Sequence, residues 1–166
     1  MQEPTFDEVL AIYDGKRGGE LGQAEQALIQ RYGLENLIPT FAAAYPKIRR
    51  GEGRAAILFW LARYARRRSD VVALARFALR DRAYLARNYA CGILAYSLSD
   101  DVIPDLEVLL THPHPETSAD AVAAIDAIRT RNHHYFVDRK HAGSTFWSVN
   151  PGDMPPKKGA FEGKSG

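Results

Sequence analysis

The chain of 166 residues has little of what marks a secreted, disulfide-bonded or membrane-spanning protein. Its single cysteine, Cys91, excludes an internal disulfide and fits a reducing compartment, and its apolar surroundings predict a small buried core residue. No apolar run approaches the ~20 residues of a membrane span. The N-terminus, Met1-Gln2-Glu3-Pro4, lacks the basic and apolar regions of a signal peptide. These features predict a cytoplasmic protein without a membrane partner.

Sequence motifs of common enzymes are missing as well. The chain has no phosphate-binding loop, no Gly-x-Ser-x-Gly elbow, no His-Glu-x-x-His and no Cys-x-x-Cys. No carboxylate or thiol stands at helical ligand spacing beside its histidines, which are His112, His114, His133, His134 and His141. We therefore expect no catalytic residue, no metal site and no cofactor.

What the chain does contain is a helical repeat. Three segments open alike, at Asn36, Asp70 and Asp101, and they start 34 and then 31 residues apart. Each is followed by an Ala-rich second segment, at residues 54–68, 84–98 and 117–131. A unit of this length is one helical hairpin, which buries its apolar face only by stacking on neighbours. The sequence therefore predicts an all-α stack of about four helical hairpins.

Apolar periodicity and helix-ending residues predict eight helices. The first follows a capping box of Thr5 and Glu8 and ends near Gly15. The next four are predicted at residues 20–32, 34–45, 54–68 and 69–80, with Ser69 as the N-cap of the fifth. The last three are predicted at 83–98, from Asp100 or Asp101 to 110, and from about 117 to 130.

The pattern changes after Arg131. Two β-prone runs, 134–137 and 145–149, flank a polar loop and predict a small β-hairpin over residues 134–149. An isolated hairpin is marginally stable, so its aromatic residues are expected to pack on the last helices. The segment 150–166 is rich in Pro, Gly and Lys and predicts a flexible tail, which leaves 1–149 as the folded domain.

The repeat openings resemble those of HEAT-like repeats. Leu37-Ile38-Pro39 and Val102-Ile103-Pro104 each precede an Ala-rich second helix, and the resemblance covers about residues 34–131. It implies an α-solenoid in which aspartates and arginines form a polar ladder between units.

The ladder residues are only partly present. Asp81 and Arg87 match the family's six-residue spacing, and Arg54 lies 33 residues before Arg87. Ile48 and His114 stand where two further aspartates belong. We therefore expect an incomplete ladder.

The layout as a whole, a short HEAT-like chain closed by a Tyr-Phe-Val…Phe-Trp segment, also resembles immunity proteins of bacterial contact-dependent and Rhs-type toxin systems. Such proteins bind and block one cognate toxin. The resemblance implies a protein-binding immunity protein that occludes the active site or substrate cleft of a toxin domain.

The charges are sorted along the chain. Residues 47–87 carry twelve bases and three acids, a net charge of +9, whereas residues 88–132 carry two bases and seven acids, a net charge of −5. Two interpretations stay open. The basic segment either steers an acidic partner or binds phosphates, or its arginines pair with acids of adjacent units.

The fourth predicted helix carries the candidate partner-binding site. At 100° per residue, five side chains fall within roughly a third of its circumference. They are Phe59, Trp60, Arg63, Arg66 and Arg67. Aromatic residues and arginine are enriched in interface hot spots, and the same combination suits nucleic acid. The alternative is that the aromatics pack on the sixth helix and the arginines are only solvated.

Functions of other classes also stay open. A nucleic-acid-binding or DNA-repair protein resembling the HEAT-like alkylpurine DNA glycosylases would grip phosphates with the basic segment. The net charge of only +2 predicts weak, non-specific nucleic-acid binding at most. A chromophore-lyase-like or scaffold HEAT protein is the third alternative.

Overall fold

The computed structural model describes residues 2–154, and this part of the chain consists of helices and turns with no β-strand. The fold is therefore all-α, as predicted. Short 3₁₀ turns extend or join several helices, at Tyr45–Lys47, Leu61–Tyr64, Asp100–Val102, Val108–Thr111 and His133–Phe136. The α-helices of the described residues are α1 (Phe6–Gly15), α2 (Gly18–Tyr32), α3 (Leu34–Ala44), α4 (Gly51–Phe59), α5 (Ser69–Ala78), α6 (Tyr84–Ser97), α7 (Ile103–Glu107) and α8 (Pro115–Arg129).

The helices contact each other in two rows. In one row α1, α4, α6 and α8 touch in that order, while in the other α3 packs on α5. The rows meet where α1 packs on α3, α5 on α6 and α7 on α8. Small side chains let α6 and α8 approach closely, and their fully buried alanines include Ala86, Ala90, Ala95, Ala121, Ala124 and Ala127. The Ala-rich segments of the repeat are thus the central row of the core.

Helix α4 begins three residues before its predicted start. Glycine is a poor helix former, so Gly51 and Gly53 argued against a helix here. A Cβ built at Gly53 would lie 1.9 Å from the Tyr13 carbonyl oxygen. The close approach of α1 therefore requires glycine inside α4, at the expense of helix propensity.

Two predicted helix starts fare differently. The Glu8 N–H donates to the Thr5 hydroxyl at 3.1 Å, so Thr5 caps α1 as predicted. Ser69 is the first residue of α5 instead of its cap, and no side chain caps this helix. Asp70 bonds its own first turn, since it accepts from the Val71 N–H at 3.0 Å and from Arg68.

Buried polar residues join α4 to the start of α6. Arg54 Nε and Nη2 donate to the two Asp81 carboxylate oxygens at 2.7 and 2.9 Å. The Tyr45 hydroxyl donates to the same carboxylate at 2.6 Å. Burial opposes ionisation, but hydrogen bonds from Arg54 and Tyr45 outweigh it and lower the pKa of Asp81.

The next unit repeats this pattern with a weaker acceptor. Arg54 also donates to the Ile48 carbonyl oxygen at 2.9 Å, and Arg87 donates likewise to the Asp81 carbonyl oxygen at 2.8 Å. The Nε of Arg87 then meets the Thr117 hydroxyl at 3.0 Å instead of a carboxylate. The polar contacts between units are thus incomplete where His114 replaces an aspartate.

The predicted β-hairpin over 134–149 is not formed. The Asn132 side chain accepts from the His134 N–H at 3.0 Å and turns residues 133–136 into a 3₁₀ turn. The second run meets the first through histidine rings instead of a backbone ladder. Trp147 N–H donates to His134 Nδ1 at 2.9 Å, and His133 Nε2 bonds the Trp147 carbonyl oxygen at 2.8 Å. The expected aromatic packing on the last helices is present, since Trp147 lies against Tyr96 of α6.

The start of the predicted tail is tied to the helices. The Asp153 carboxylate accepts from the Tyr96 hydroxyl at 3.0 Å and from the Asn150 N–H at 2.7 Å. The Asn150 side chain donates to the Arg63 carbonyl oxygen at 3.0 Å. The rest of the predicted tail, residues 155–166, lies outside the described part of the chain.

Candidate functional site

The structure divides the predicted partner-binding face. The α-helix ends at Phe59, and residues 61–64 continue as a 3₁₀ turn, which advances about 120° per residue instead of about 100°. Phe59, Trp60 and Arg63 stay together. The two rings meet edge to face at 5.2 Å, and the Arg63 guanidinium lies 5.5 Å from the centre of the Trp60 ring. These three residues form the part of the predicted site that the fold assembles.

Arg66 and Arg67 lie elsewhere. Arg66 donates to the Tyr96 carbonyl oxygen at 2.7 Å, and its Nη2 lies 3.1 Å from His133 Nδ1. Arg67 pairs with Glu35 of α3 at 3.5 Å. Both arginines border a polar hollow between α5 and the end of α6. Arg66 therefore holds the C-terminal segment, and Arg67 faces a different surface.

A cleft of about 300 Å³ opens beside Phe59, Trp60 and Arg63. Its walls are the end of α4, one side of α6 and the segment after α8, and both tryptophans of the chain line it. We call it the aromatic cleft; its lining residues are Leu58, Phe59, Trp60, Ala62, Arg63, Asn88, Tyr89, Gly92, Ile93, Phe136, Val137, Trp147, Ser148 and Val149. An apolar cleft with few polar groups is the usual form of a binding site.

Trp60 is fixed in place by α2. Its indole N–H donates to the Glu25 carboxylate at 2.8 Å. The second Glu25 oxygen and the Tyr13 hydroxyl are buried without a hydrogen-bond partner in the described residues. Burial raises the pKa of Glu25, although the bond from Trp60 opposes this. Phe59, by contrast, is 56% exposed and presents most of its ring to solvent.

The C-terminal wall depends on glycine and on neutral histidines. A Cβ at Gly92 would lie 3.3 Å from the rings of both Phe136 and Trp147, so a larger residue would push this wall outward. His133 faces Arg66 with Nδ1 and the Trp147 carbonyl oxygen with Nε2, an arrangement that a neutral ring satisfies. Burial lowers the pKa of His133 and favours that neutral form.

Most of the basic segment is neutralised by acids of other units. Arg54 pairs with Asp81, Arg49 with Asp14 at 3.1 Å and Arg76 with Asp105 at 3.0 Å. The pairing interpretation therefore describes these arginines. Within residues 2–154, four of the twelve bases make no ion pair and no hydrogen bond to a buried carbonyl of another helix: Lys47, Arg63, Arg80 and Arg82.

Other reactive groups are not arranged as a site. Cys91 is fully buried, as predicted, and burial raises the pKa of its thiol to about 12. Across residues 2–154 no three His, Cys, Asp or Glu side chains are grouped to hold a metal ion. In the same range no helix has the length and apolar character needed to cross a bilayer.

Several cleft residues were not predicted from the sequence. Tyr89, Gly92 and Phe136 belong to the cleft but lie 25 residues or more from Arg63 along the chain. Gly92 gave one signal, because a glycine in the middle of an Ala-rich helix indicates close packing. Glu25 gave none, since a carboxylate on α2 reads as solvated until its indole partner is known.

Comparison of the chain with protein-family models, with curated proteins and with solved structures found no match.

Proposed function

We propose that this protein is a cytoplasmic immunity protein that neutralises a cognate bacterial toxin domain by binding it. Two rows of stacked helices and arginine–aspartate contacts between units support a HEAT-like α-solenoid as its scaffold. The toxin as partner class rests on the resemblance of layout. The binding surface rests on the geometry of the aromatic cleft.

The observation that carries protein binding is the combination of an exposed ring, a fixed ring and an unpaired arginine at one apolar cleft. Phe59 is 56% exposed, although burying a phenylalanine stabilises by about 1.5–3 kcal/mol. Trp60 is held by Glu25, so no ordering cost remains for it on binding. Arg63 has no acidic partner in the described residues and lies over the Trp60 ring. Aromatic and arginine anchors of this kind dominate interface energies.

The mechanism is occlusion. The partner inserts an apolar side chain into the aromatic cleft, covers Phe59 and places an acidic group against Arg63. The pre-formed helical scaffold then blocks the toxin's active site or substrate cleft sterically. No catalytic step is required of the immunity protein.

The charge pattern limits which toxins fit. A toxin that grips nucleic acid through a basic face would be repelled by the segment 47–87. It would have to meet the acidic segment 88–132, where Asp101 and Glu107 are exposed. A toxin with an acidic rim around its cleft fits Arg63 better. Nucleic acid itself is a poorer partner, because most arginines of the basic segment are already paired with acids.

Co-expression with the toxin domain encoded beside the gene tests this proposal. Phe59→Ser and Arg63→Glu change exposed side chains and are expected to keep the fold but lose protection of the host cell. Val122→Ser and Arg67→Glu are matched controls, because Val122 is 57% exposed on α8 and Arg67 borders another surface. Full protection by all four variants would overturn the aromatic cleft as the interface. Failure of the wild type to protect would overturn the immunity function.

A further inference from the structure

A second hollow lies at the edge of the fold where the helical hairpins turn. It has a volume of about 610 Å³ and shares no lining residue with the aromatic cleft. We call it the turn hollow; its lining residues are Tyr45, Pro46, Ile48, Arg49, Arg54, Phe77, Arg80, Asp81 and Arg82. The loops before α4 and before α6 supply most of them.

The rim of the turn hollow is cationic. Arg49, Arg80 and Arg82 are exposed, and the side chain of Arg49 is 86% exposed although it contacts Asp14. Arg82 Nη2 donates to the Arg49 carbonyl oxygen at 2.9 Å, which brings the two loops together. Lys47 stands in the same loop. Arginines predominate, and their planar forks bind phosphate oxygens in pairs.

The only acid in the turn hollow is already used. Both Asp81 oxygens accept hydrogen bonds, one from Arg54 Nη2 and the Ala83 N–H, the other from Arg54 Nε and the Tyr45 hydroxyl. The buried Arg54 and Asp81 therefore cancel each other, and the positive charge of the rim is left over. A single carboxylate from a ligand would satisfy only one guanidinium, whereas a phosphate chain has charge for several.

One wall of the turn hollow is aromatic and uncovered. The Phe77 ring is 57% exposed and meets Tyr45 edge to face at 6.1 Å. A flat exposed ring beside arginines is the arrangement on which nucleic-acid bases stack while their phosphates are neutralised. The positive ends of α4 and α6 add to the field, because a Cβ at Gly51 would touch Ala83 at 2.9 Å and neither helix start has a side-chain cap.

We propose that the turn hollow binds a nucleoside phosphate, with its phosphate chain on Arg80, Arg82 and Arg49 and its base against Phe77. The ligand is either a free nucleotide or the nucleotides of a single strand, which present the same chemistry. This site is independent of the proposed immunity function and its interface.

Isothermal titration of the full-length protein with ATP, inorganic triphosphate and adenosine tests the site at low salt. ATP is expected to bind more tightly than triphosphate, and adenosine is expected not to bind. Arg80→Gln is expected to weaken ATP about tenfold, as the loss of one charge-assisted contact does. Phe77→Ala is expected to reduce ATP affinity to that of triphosphate. Arg76→Gln is the matched control, since Arg76 pairs with Asp105 outside the turn hollow.

The remaining arms of the experiment separate the sources of the ligand. A thymidine oligonucleotide that competes with ATP and is weakened equally by Arg80→Gln supports a single strand, while binding of ATP alone supports a free nucleotide. Polyglutamate binding as tightly as triphosphate would overturn the proposal, as would the absence of ATP binding or equal binding by Arg80→Gln. Because Arg80 is exposed, an unchanged thermal midpoint in Arg80→Gln shows that its loss of binding is not unfolding.

Discussion

The indole N–H of Trp60 donates to Glu25 at 2.8 Å, so the aromatic wall of the cleft is fastened to α2 before any partner arrives. This bond joins residues 35 positions apart and leaves the other Glu25 oxygen buried without a partner. The cleft is therefore pre-organised, but a partly buried carboxylate is the consequence.

Glu25→Gln is expected to stabilise the protein at neutral pH. Glutamine keeps an acceptor for Trp60 and removes the buried charge. Because burial raises the pKa of Glu25, folding favours its protonated form, and this stability is present below about pH 4.3 and is lost as the pH rises. Thermal midpoints of wild type and variant at acidic and neutral pH measure the difference. A gain that is equal at both pH values would contradict the assignment.

Gly53→Ala is expected to destabilise the protein by more than about 1 kcal/mol, because the new Cβ would overlap the Tyr13 carbonyl and force α1 away from α4. Gly22→Ala is the control. Gly22 lies in α2 with no atom within 4 Å of a Cβ, so alanine there is expected to stabilise by about 0.5–1 kcal/mol. Urea unfolding compares the two variants, and changes of the same sign would refute the packing described for α1 and α4.

Asp81→Ala is expected to cost about 3–5 kcal/mol, because it leaves Arg54 buried without its counter-charge. Asp70→Ala removes a partly exposed carboxylate paired with Arg68 and is expected to cost about 1 kcal/mol or less. Chemical denaturation at neutral pH checks both values. Similar small losses would mean that the pair between α4 and α6 contributes little.

Acid is expected to loosen the C-terminal wall of the cleft. Burial lowers the pKa of His133, so folding favours the neutral ring; this stability is present above about pH 6.5 and is lost as the pH falls. A proton on Nδ1 would also face Arg66. In a Trp60→Phe background the emission of Trp147 reports the wall, and His133→Gln is expected to reduce its acid response. An emission that is flat from about pH 8 to pH 5 would contradict this prediction.

The helices could be predicted from the sequence because their signals are local. Apolar spacing and the Thr5 cap place α1 without knowledge of any other element. The cleft is different. The change to 3₁₀ geometry at 61–64 redirects Arg66, and the C-terminal turn depends on Asp153 meeting Tyr96 across 57 positions. Such contacts are set by tertiary packing, which a β-prone run such as 134–137 does not report.

The most direct test of the central claim is the kinetics of binding between the purified protein and its toxin domain. Phe59→Ser is expected mainly to speed dissociation, as loss of a buried aromatic anchor does, and Arg63→Glu is expected to slow association and also to weaken the complex. Val122→Ser and Arg67→Glu are expected to bind like the wild type. Rate constants for Phe59→Ser and Arg63→Glu that equal those of the wild type would show that the aromatic cleft does not bind the toxin.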